Sequence, residues 1–160
     1  MRIGLISDTH GSQAAMRLAL KSAGPMDIWL HAGDHWQDAY IIGRLSGKPV
    51  ITVAGNCDSL PGAKIDEFIE ISGRRIWLTH GHRYGAKAGT EKLVRFGCQF
   101  EAHAVVFGHT HIPVIERHDG ILLVNPGSAA YPRYGGATCG SLFIDETSGE
   151  LAASLIPLMS

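Results

Sequence analysis

The chain lacks most of what would tie it to an extracellular or membrane setting. Three cysteines among 160 residues cannot all pair, and none has zinc-ribbon spacing, so no disulfide framework is expected. No apolar run approaches the ~20 residues of a transmembrane helix. The apolar start Ile3-Gly4-Leu5-Ile6 is cut off by Ser7-Asp8-Thr9-His10, too early for a secretory signal. Charge of one sign is missing too: the formal net charge is -1, which leaves no basic excess for nucleic acid or for an anionic membrane. The expectation is a cytoplasmic, reducing setting with no membrane partner and no strong nucleic-acid binding. What is present is an ordinary globular balance, 45% hydrophobic and 18% charged. The length suits a single domain over residues 1–160 that buries a sizeable core. Nine histidines and 20 glycines stand out. Histidine points to metal or acid–base chemistry and glycine to tight loops.

Periodicity gives the outline. Arg2 to Ser7 reads as a buried strand, and Ser12 to Ala23 as a helix closed by Gly24-Pro25. Asp27 to His31 is a second strand, Asp38 to Leu45 a helix, and Pro49 to Ala54 a third strand. This alternation argues for a parallel α/β sheet. The second half changes character. Lys64 to Ile71 and Arg75 to Thr79 read as a hairpin, Tyr84 to Phe96 as a helix weakened by Gly85 and Gly89, and Ala104 to Phe107 as a strand. Pro113 to Arg117 and Ile121 to Val124 flank an Asp-Gly turn, and Thr138 to Ile144 and Leu151 to Ile156 close the chain. The fold class is α/β, with two mixed sheets packed face to face and helices outside.

Polar residues gather at the predicted strand ends: Asp8 and His10, Asp34, Asn56, His80, then His109 and His111. Each of these loops also holds a glycine. Ligands of open α/β sheets collect beyond the carboxyl ends of strands, so these side chains converge on one region. Imidazoles and carboxylates together suit Mn, Fe, Zn, Co or Ni. Seven ligands are too many for one such ion and about right for two. A shared carboxylate would hold the ions roughly 3.5–4 Å apart, as in two-metal hydrolases.

Asp8-Thr9-His10, Gly33-Asp34, Gly55-Asn56, His80-Gly81-His82 and Gly108-His109-Thr110-His111 resemble, in order, the motif set of the calcineurin-like metallophosphoesterases. The match runs from residue 2 to about residue 128. The Gly55-Asn56-Cys57-Asp58 form and the Asn125-Pro126-Gly127-Ser128 turn are similar to the small prokaryotic phosphodiesterase branch, which is related to a non-enzymatic retromer subunit of eukaryotes. The resemblance implies a four-layer αββα sandwich. It implies that Asp8, His10 and His111 hold one divalent metal and that Asn56, His80 and His109 hold the other, with Asp34 bridging. It implies Mn2+ as the ion in use, with Ni2+, Zn2+, Fe2+ or Co2+ as alternatives. The expected reaction is hydrolysis of a small or nucleotide-like phosphodiester by a hydroxide held between the ions, with Asp34, Asn56 and His82 serving catalysis. A phosphomonoesterase, a dinucleotide-polyphosphate hydrolase and a non-catalytic metal-site scaffold for protein partners remain alternatives. A homo-oligomer is compatible with the sequence.

One position departs from the family pattern. Many members carry after the Asn a histidine that protonates the leaving alkoxide; here Cys57 stands in that place. His82 is the expected substitute on the substrate side, and Asp58 stands beside position 57 as a carboxylate able to orient an imidazole. His35 neighbours a ligand position, whereas His31, His103 and His118 read as solvated or supporting groups. Cys98 and Cys139 read as small core residues. Tyr131, Arg133 and Tyr134 lie in a Gly-rich loop that reads as plain surface, with contact to a phosphate or a base as the alternative.

Overall fold

The β-rich runs sort into two sheets because only some of them can share edges. The computed structural model describes residues 1–59 and 62–159. In the first sheet, β1 (Arg2–Ile6), β2 (Ile28–His31) and β3 (Val50–Thr52) run parallel. Next to β1 lies β9 (Thr138–Ile144), antiparallel, and then β10 (Leu151–Pro157), giving the order β10-β9-β1-β2-β3. The second sheet has the order β4-β5-β6-β8-β7. Its strands β5 (Arg74–Thr79), β6 (Ala104–Val106) and β8 (Ile121–Asn125) are parallel, while β4 (Asp66–Ile71) and β7 (Val114–His118) are antiparallel edges.

Three apolar layers hold these sheets. Between them, Ile3, Leu5, Leu30 and Val53 of one face meet Ile76, Leu78, Val106 and Val124 of the other, all fully or nearly fully buried. Helices α1 (Gln13–Ala23) and α2 (Asp38–Ser46) cover the outside of the first sheet, where Met16, Ala19 and Ile42 pack on Ile6, Trp29 and Cys139. Helix α3 (Glu91–Gln99) covers the second sheet through Leu93 against Trp77, Val105 and Phe107. The result is the αββα order, and the two mixed sheets match the expectation. Among the described residues, no helix is long and apolar enough to cross a membrane.

The elements begin and end where local chemistry puts them. Ser12 is the cap of α1 rather than its first residue: its hydroxyl accepts from the Ala15 N–H at 3.2 Å. Gly24 ends the helix at φ 71°. The largest departure is the third helix. Instead of a helix from residue 84, a 3-10 turn at His82–Tyr84 is followed by irregular chain, and α3 starts at Glu91. Gly85 at φ 64° and Gly89 at φ 145° lie outside the helical region and break the run. Cys139 is buried as expected, but Cys98 is exposed on α3, so the core reading fails there. The α3 core face is carried by Leu93 and Gly97 instead.

Gly4 tests how tightly the first sheet is packed. It lies beside Trp29 in the parallel ladder, and a methyl group at Gly4 would sit 2.5 Å from the indole ring. Trp29 is itself buried at 1% exposure and has little room to retreat. Gly4→Ala is expected to lower stability by about 1–3 kcal/mol through overpacking, read as a lower urea midpoint with an unchanged slope. An unchanged midpoint would mean that the indole moves freely.

Candidate metal centre

The parallel strands of both sheets end on the same side, and their ends carry the polar set. Residues after β1, β2 and β3 bring Asp8 and His10, Asp34 and Asn56. The ends of β5 and β6 bring His80, His109 and His111. All seven side chains meet in one place.

They meet as two groups. In the first, donor atoms of Asp8, His10, Asp34 and His111 all lie within 4.8 Å of one another. Nε2 of His111 is 3.0 Å from Asp8 Oδ1, and Nε2 of His10 is 3.6 Å from Asp34 Oδ2. Yet among the described residues, Asp8 Oδ1 and His10 Nε2 are buried without an aligned hydrogen-bond partner. Lone pairs that aim at a common point rather than at each other fit a cation there, since buried polar atoms are rarely left unmatched. In the second group, Asn56 Oδ1 is 2.9 Å from both His80 Nε2 and His109 Nδ1, and His80 Nε2 is 3.4 Å from Asp34 Oδ1. Asp34 thus turns one oxygen towards each group.

The surrounding chain fixes these orientations. His80 Nδ1 faces the Ala32 carbonyl at 2.7 Å, and His111 Nδ1 faces the Tyr131 carbonyl at 2.6 Å. An Nδ1–H donated to a carbonyl leaves Nε2 free as a ligand, the usual support of a metal-binding histidine. Asp8 Oδ2 accepts from the Ser7 hydroxyl at 2.5 Å and from the His109 N–H at 3.2 Å. Two glycines give way to the carboxylates. A Cβ at Gly55 would fall 2.1 Å from Asp34 Oδ1, and one at Gly108 would fall 2.0 Å from Ser7 Oγ and 2.7 Å from Asp8 Oδ2. Backbone strain gathers in the same loops: Asp8, His10, Asp34, His109 and His111 all have φ between 46° and 71°. Such left-handed conformations cost a non-glycine residue on the order of 1–3 kcal/mol and cluster at functional sites.

Electrostatics follow the geometry. Burial alone would raise the Asp34 carboxyl, but His80 and the Cys57 N–H, 3.0 Å from Oδ1, outweigh it and hold the group well below the ordinary carboxylate range. Burial opposes protonation of His80, yet Asp34 and Asp8 raise it above its usual value; Asp8 raises His111. Burial and the His80 charge push His109 down to about 4, and the same two causes lower His82.

The other sequence candidates sort clearly. His82 sits beside the second group, its ring centroid 5.4 Å from that of His80 and 6.1 Å from that of His109, and its buried Nδ1 has no hydrogen-bond partner among the described residues. Cys57 is exposed, and burial together with Asp34 raises its thiol. Asp58 is already engaged, taking the N–H groups of His35, Trp36 and Gly55 at 2.8, 3.3 and 2.8 Å, so it is not free to orient a side chain at position 57. His35 is exposed, 6.1 Å from the His10 ring, while His103 accepts from Arg75 N–H and His118 pairs with Glu116 far along the chain. Tyr131, Arg133 and Tyr134 are all exposed, as the surface reading expects, and the loop also borders the first group: the Tyr131 ring packs edge-on to His10 at 5.5 Å, and the Arg133 N–H donates to the His111 carbonyl at 3.2 Å. Ser128 explains that placement, since its hydroxyl donates to the Asp8 carbonyl and accepts from the Tyr131 N–H, both at 2.8 Å.

Comparison with known proteins gives a consistent result. Residues 1–147 match the model of the calcineurin-like phosphoesterase superfamily domain. The chain is 31% identical over 134 residues to the probable metallophosphoesterase YsnB of Bacillus subtilis, covering 83% of this chain and 78% of that protein. It is 28% identical over 165 residues to the phosphodiesterase YfcE of Escherichia coli, covering 84% and 83%. Among solved structures, zinc-complexed Vps29 of Entamoeba histolytica shares the fold with a TM-score of 0.75 and 23% identity, over 99% of this chain and 100% of that one.

Were His80 and His111 to hold a metal ion, their raised pKa values would make its binding depend on pH. Below their raised values both rings carry protons that an entering cation must displace. Affinity for Mn2+ is then expected to rise with pH as the two rings lose their protons, with more protons released per ion at lower pH. Calorimetry in buffers of different ionisation enthalpy measures both quantities. An affinity independent of pH would show that the two imidazoles are not displaced ligands.

Proposed function

The chain belongs to the calcineurin-like phosphoesterase superfamily, and on that premise we propose that it is a phosphodiesterase that works with two divalent metal ions, Mn2+ being the first candidate. The observation that carries the reading is the placement of Asp34, with Oδ2 3.6 Å from His10 and Oδ1 3.4 Å from His80. One buried carboxylate facing two donor sets is what a bridging ligand requires. Asp8, His10 and His111 would complete the first site, and Asn56, His80 and His109 the second.

Charge explains the choice of substrate. Two divalent ions against the carboxylates of Asp8 and Asp34 leave a strongly cationic floor, while Asn56 ligates without adding a negative charge. An anionic phosphodiester is drawn to that floor, and a chain of net charge -1 does not oppose it. The bound ions supply Lewis acidity at the phosphoryl oxygens and bring the pKa of a water from about 16 towards neutrality. The rest falls to the protein. Asp34 sets the spacing, Tyr131 and the carbonyl of Ala32 hold ligand rings in line, and Ser7 and the His109 N–H pin Asp8. His82 borders the second site, and its protonated form would present a proton to a substrate oxygen, a role that its lowered pKa confines to the acid side of neutrality. Cys57 keeps its proton because burial and Asp34 raise it, but a thiol lacks the reach of an imidazole.

Hydrolysis of bis(p-nitrophenyl) phosphate and of p-nitrophenyl phosphate, each with and without Mn2+, tests the reading. The diester is expected to be cleaved faster, and only with the metal. Preference for the monoester would favour a monoesterase, and no turnover of either by metal-loaded protein would favour a binding scaffold. Asp34→Asn is expected to remove more activity at saturating metal than His111→Ala, because a bridging ligand serves both ions.

The leaving group provides a second measurement. Nitrophenolate departs unaided, whereas an alkoxide needs a proton, and general-acid help is worth roughly 10²- to 10⁴-fold. His82→Ala is therefore expected to slow alkyl diesters by that order and aryl diesters little. Equal losses on both series would remove His82 from proton delivery.

A further inference from the structure

Beneath the ligand loops runs a chain of buried polar groups that the chemistry above does not use. His31, the last residue of β2, is 0% exposed. Its Nε2 is 2.8 Å from Thr9 Oγ1, and its Nδ1 is 3.0 Å from Thr52 Oγ1 and 3.4 Å from the Gly33 N–H. Thr9 Oγ1 also lies 2.6 Å from Asp38 Oδ2, which takes the Gly11 N–H at 2.8 Å. Thr9 and Asp38 are themselves buried, at 0% and 3% exposure.

Hydrogen counting leaves one arrangement. Asp38 as a carboxylate only accepts, so the single hydroxyl hydrogen of Thr9 goes to it. Thr9 Oγ1 must then accept from His31, which places a proton on Nε2. A neutral ring protonated there has a bare Nδ1, which suits the Gly33 N–H and the Thr52 hydroxyl it faces; the hydroxyl also lies 3.3 Å from the Val53 carbonyl, but His31 is nearer, at 3.0 Å. Burial pushes His31 down to about 4, against the opposing pull of Asp38, so the ring is neutral near pH 7. A neutral ring in one tautomer satisfies every group in the chain.

The sequence positions give this chain its meaning. Thr9 lies between Asp8 and His10, His31 is three residues before Asp34, and Thr52 is four residues before Asn56. In the sheet ladders, Ile6 pairs with His31 and His31 with Thr52. One imidazole therefore spans the ends of β1, β2 and β3, and the three ends carry four of the seven candidate ligands. The backbone bond from the Asp8 N–H to the Gly33 carbonyl, 3.2 Å, joins the same two loops more weakly. Asp8, His10 and Asp34 sit in left-handed conformations that relax unless something holds them.

We propose that His31 is a positioning residue of the metal centre: fixed as the Nε2–H tautomer between Thr9 and Thr52, it locks the loops of Asp8, His10, Asp34 and Asn56 into the spacing that two ions need. The tautomer follows from the hydrogen-bond chain once the buried ring is neutral; its consequence for metal binding rests on the ligand reading proposed above.

Two measurements test it. Nitrogen-15 spectra of the metal-free wild type should show His31 neutral, with its proton on Nε2 alone. A proton on Nδ1, or a mixture of tautomers, would overturn the proposal without any variant being made. The second measurement is Mn2+ affinity by calorimetry in variants whose circular dichroism matches the wild type. His31→Phe keeps the bulk and loses both links, and is expected to weaken Mn2+ binding on the order of 10- to 100-fold, the usual loss when a supporting partner of a metal ligand is removed. His31→Gln can still donate to Thr9 and should recover most of that loss. Thr52→Val, nearly the same shape, should weaken binding less than His31→Phe but measurably. Wild-type affinity in folded His31→Phe, or no recovery in His31→Gln, would reduce His31 to a packing residue. These readouts do not use turnover, so absent phosphodiesterase activity with intact tautomer and metal results would strike the functional reading and leave this one standing.

Discussion

A buried carboxylate is the constraint around which this molecule is built. Asp34 is only 2% exposed, and a charged group in that position is strongly unfavourable unless it is matched. The chain matches it from two elements at once: the His80 ring from the end of β5 and the Cys57 N–H from the loop after β3. Gly55 exists at its position because no side chain fits beside Asp34 Oδ1. Remove the carboxylate and an imidazole, an amide donor and an empty space lose their reason together. This is why the centre is a property of the whole sandwich rather than of one loop.

The two sheets divide the labour. The first supplies Asp8, His10, Asp34 and Asn56, and the second supplies His80, His109 and His111. Their relative placement is set by the dry layer in which Ile3, Leu5 and Leu30 face Ile76, Leu78 and Val106. A close-packed interior transmits small displacements rather than absorbing them. Apolar packing far from any ligand therefore fixes the distance between the donor groups, and the hydrogen bond from His80 to the Ala32 carbonyl carries that spacing across the gap between sheets.

Much of this was legible in the residues, because strands of parallel sheets announce themselves as apolar runs and their loops as polar interruptions. Asp8, Asp34, Asn56 and the paired histidines were readable for that reason. What escaped reading depends on contacts between distant positions. The break before α3 turns on Gly85 and Gly89 adopting conformations that an apolar pattern does not encode. Cys98 reads as core because cysteine is usually buried, but α3 already fills its inner face with Leu93 and Gly97. Thr9, His31 and Asp38 form a chain across three elements, of which only His31 reads from the sequence as a solvated or supporting group. The importance of Tyr131 came from Ser128 binding the Asp8 carbonyl, a bond between positions 120 residues apart.

The left-handed backbone at the centre has a consequence for how such a chain drifts. Aspartate and histidine are among the few residues besides glycine that tolerate this conformation, and they are also the residues a metal site recruits. On the ligand reading proposed above, two demands thus coincide at Asp8, His10, Asp34, His109 and His111. Take the metal away as a demand, and only the backbone's preference remains, which points to glycine. A lineage released from hydrolysis would find ligand-to-glycine changes the easy ones, gaining robustness as it lost chemistry. On that reading, the five left-handed torsions hold stability that glycine at the same positions would return.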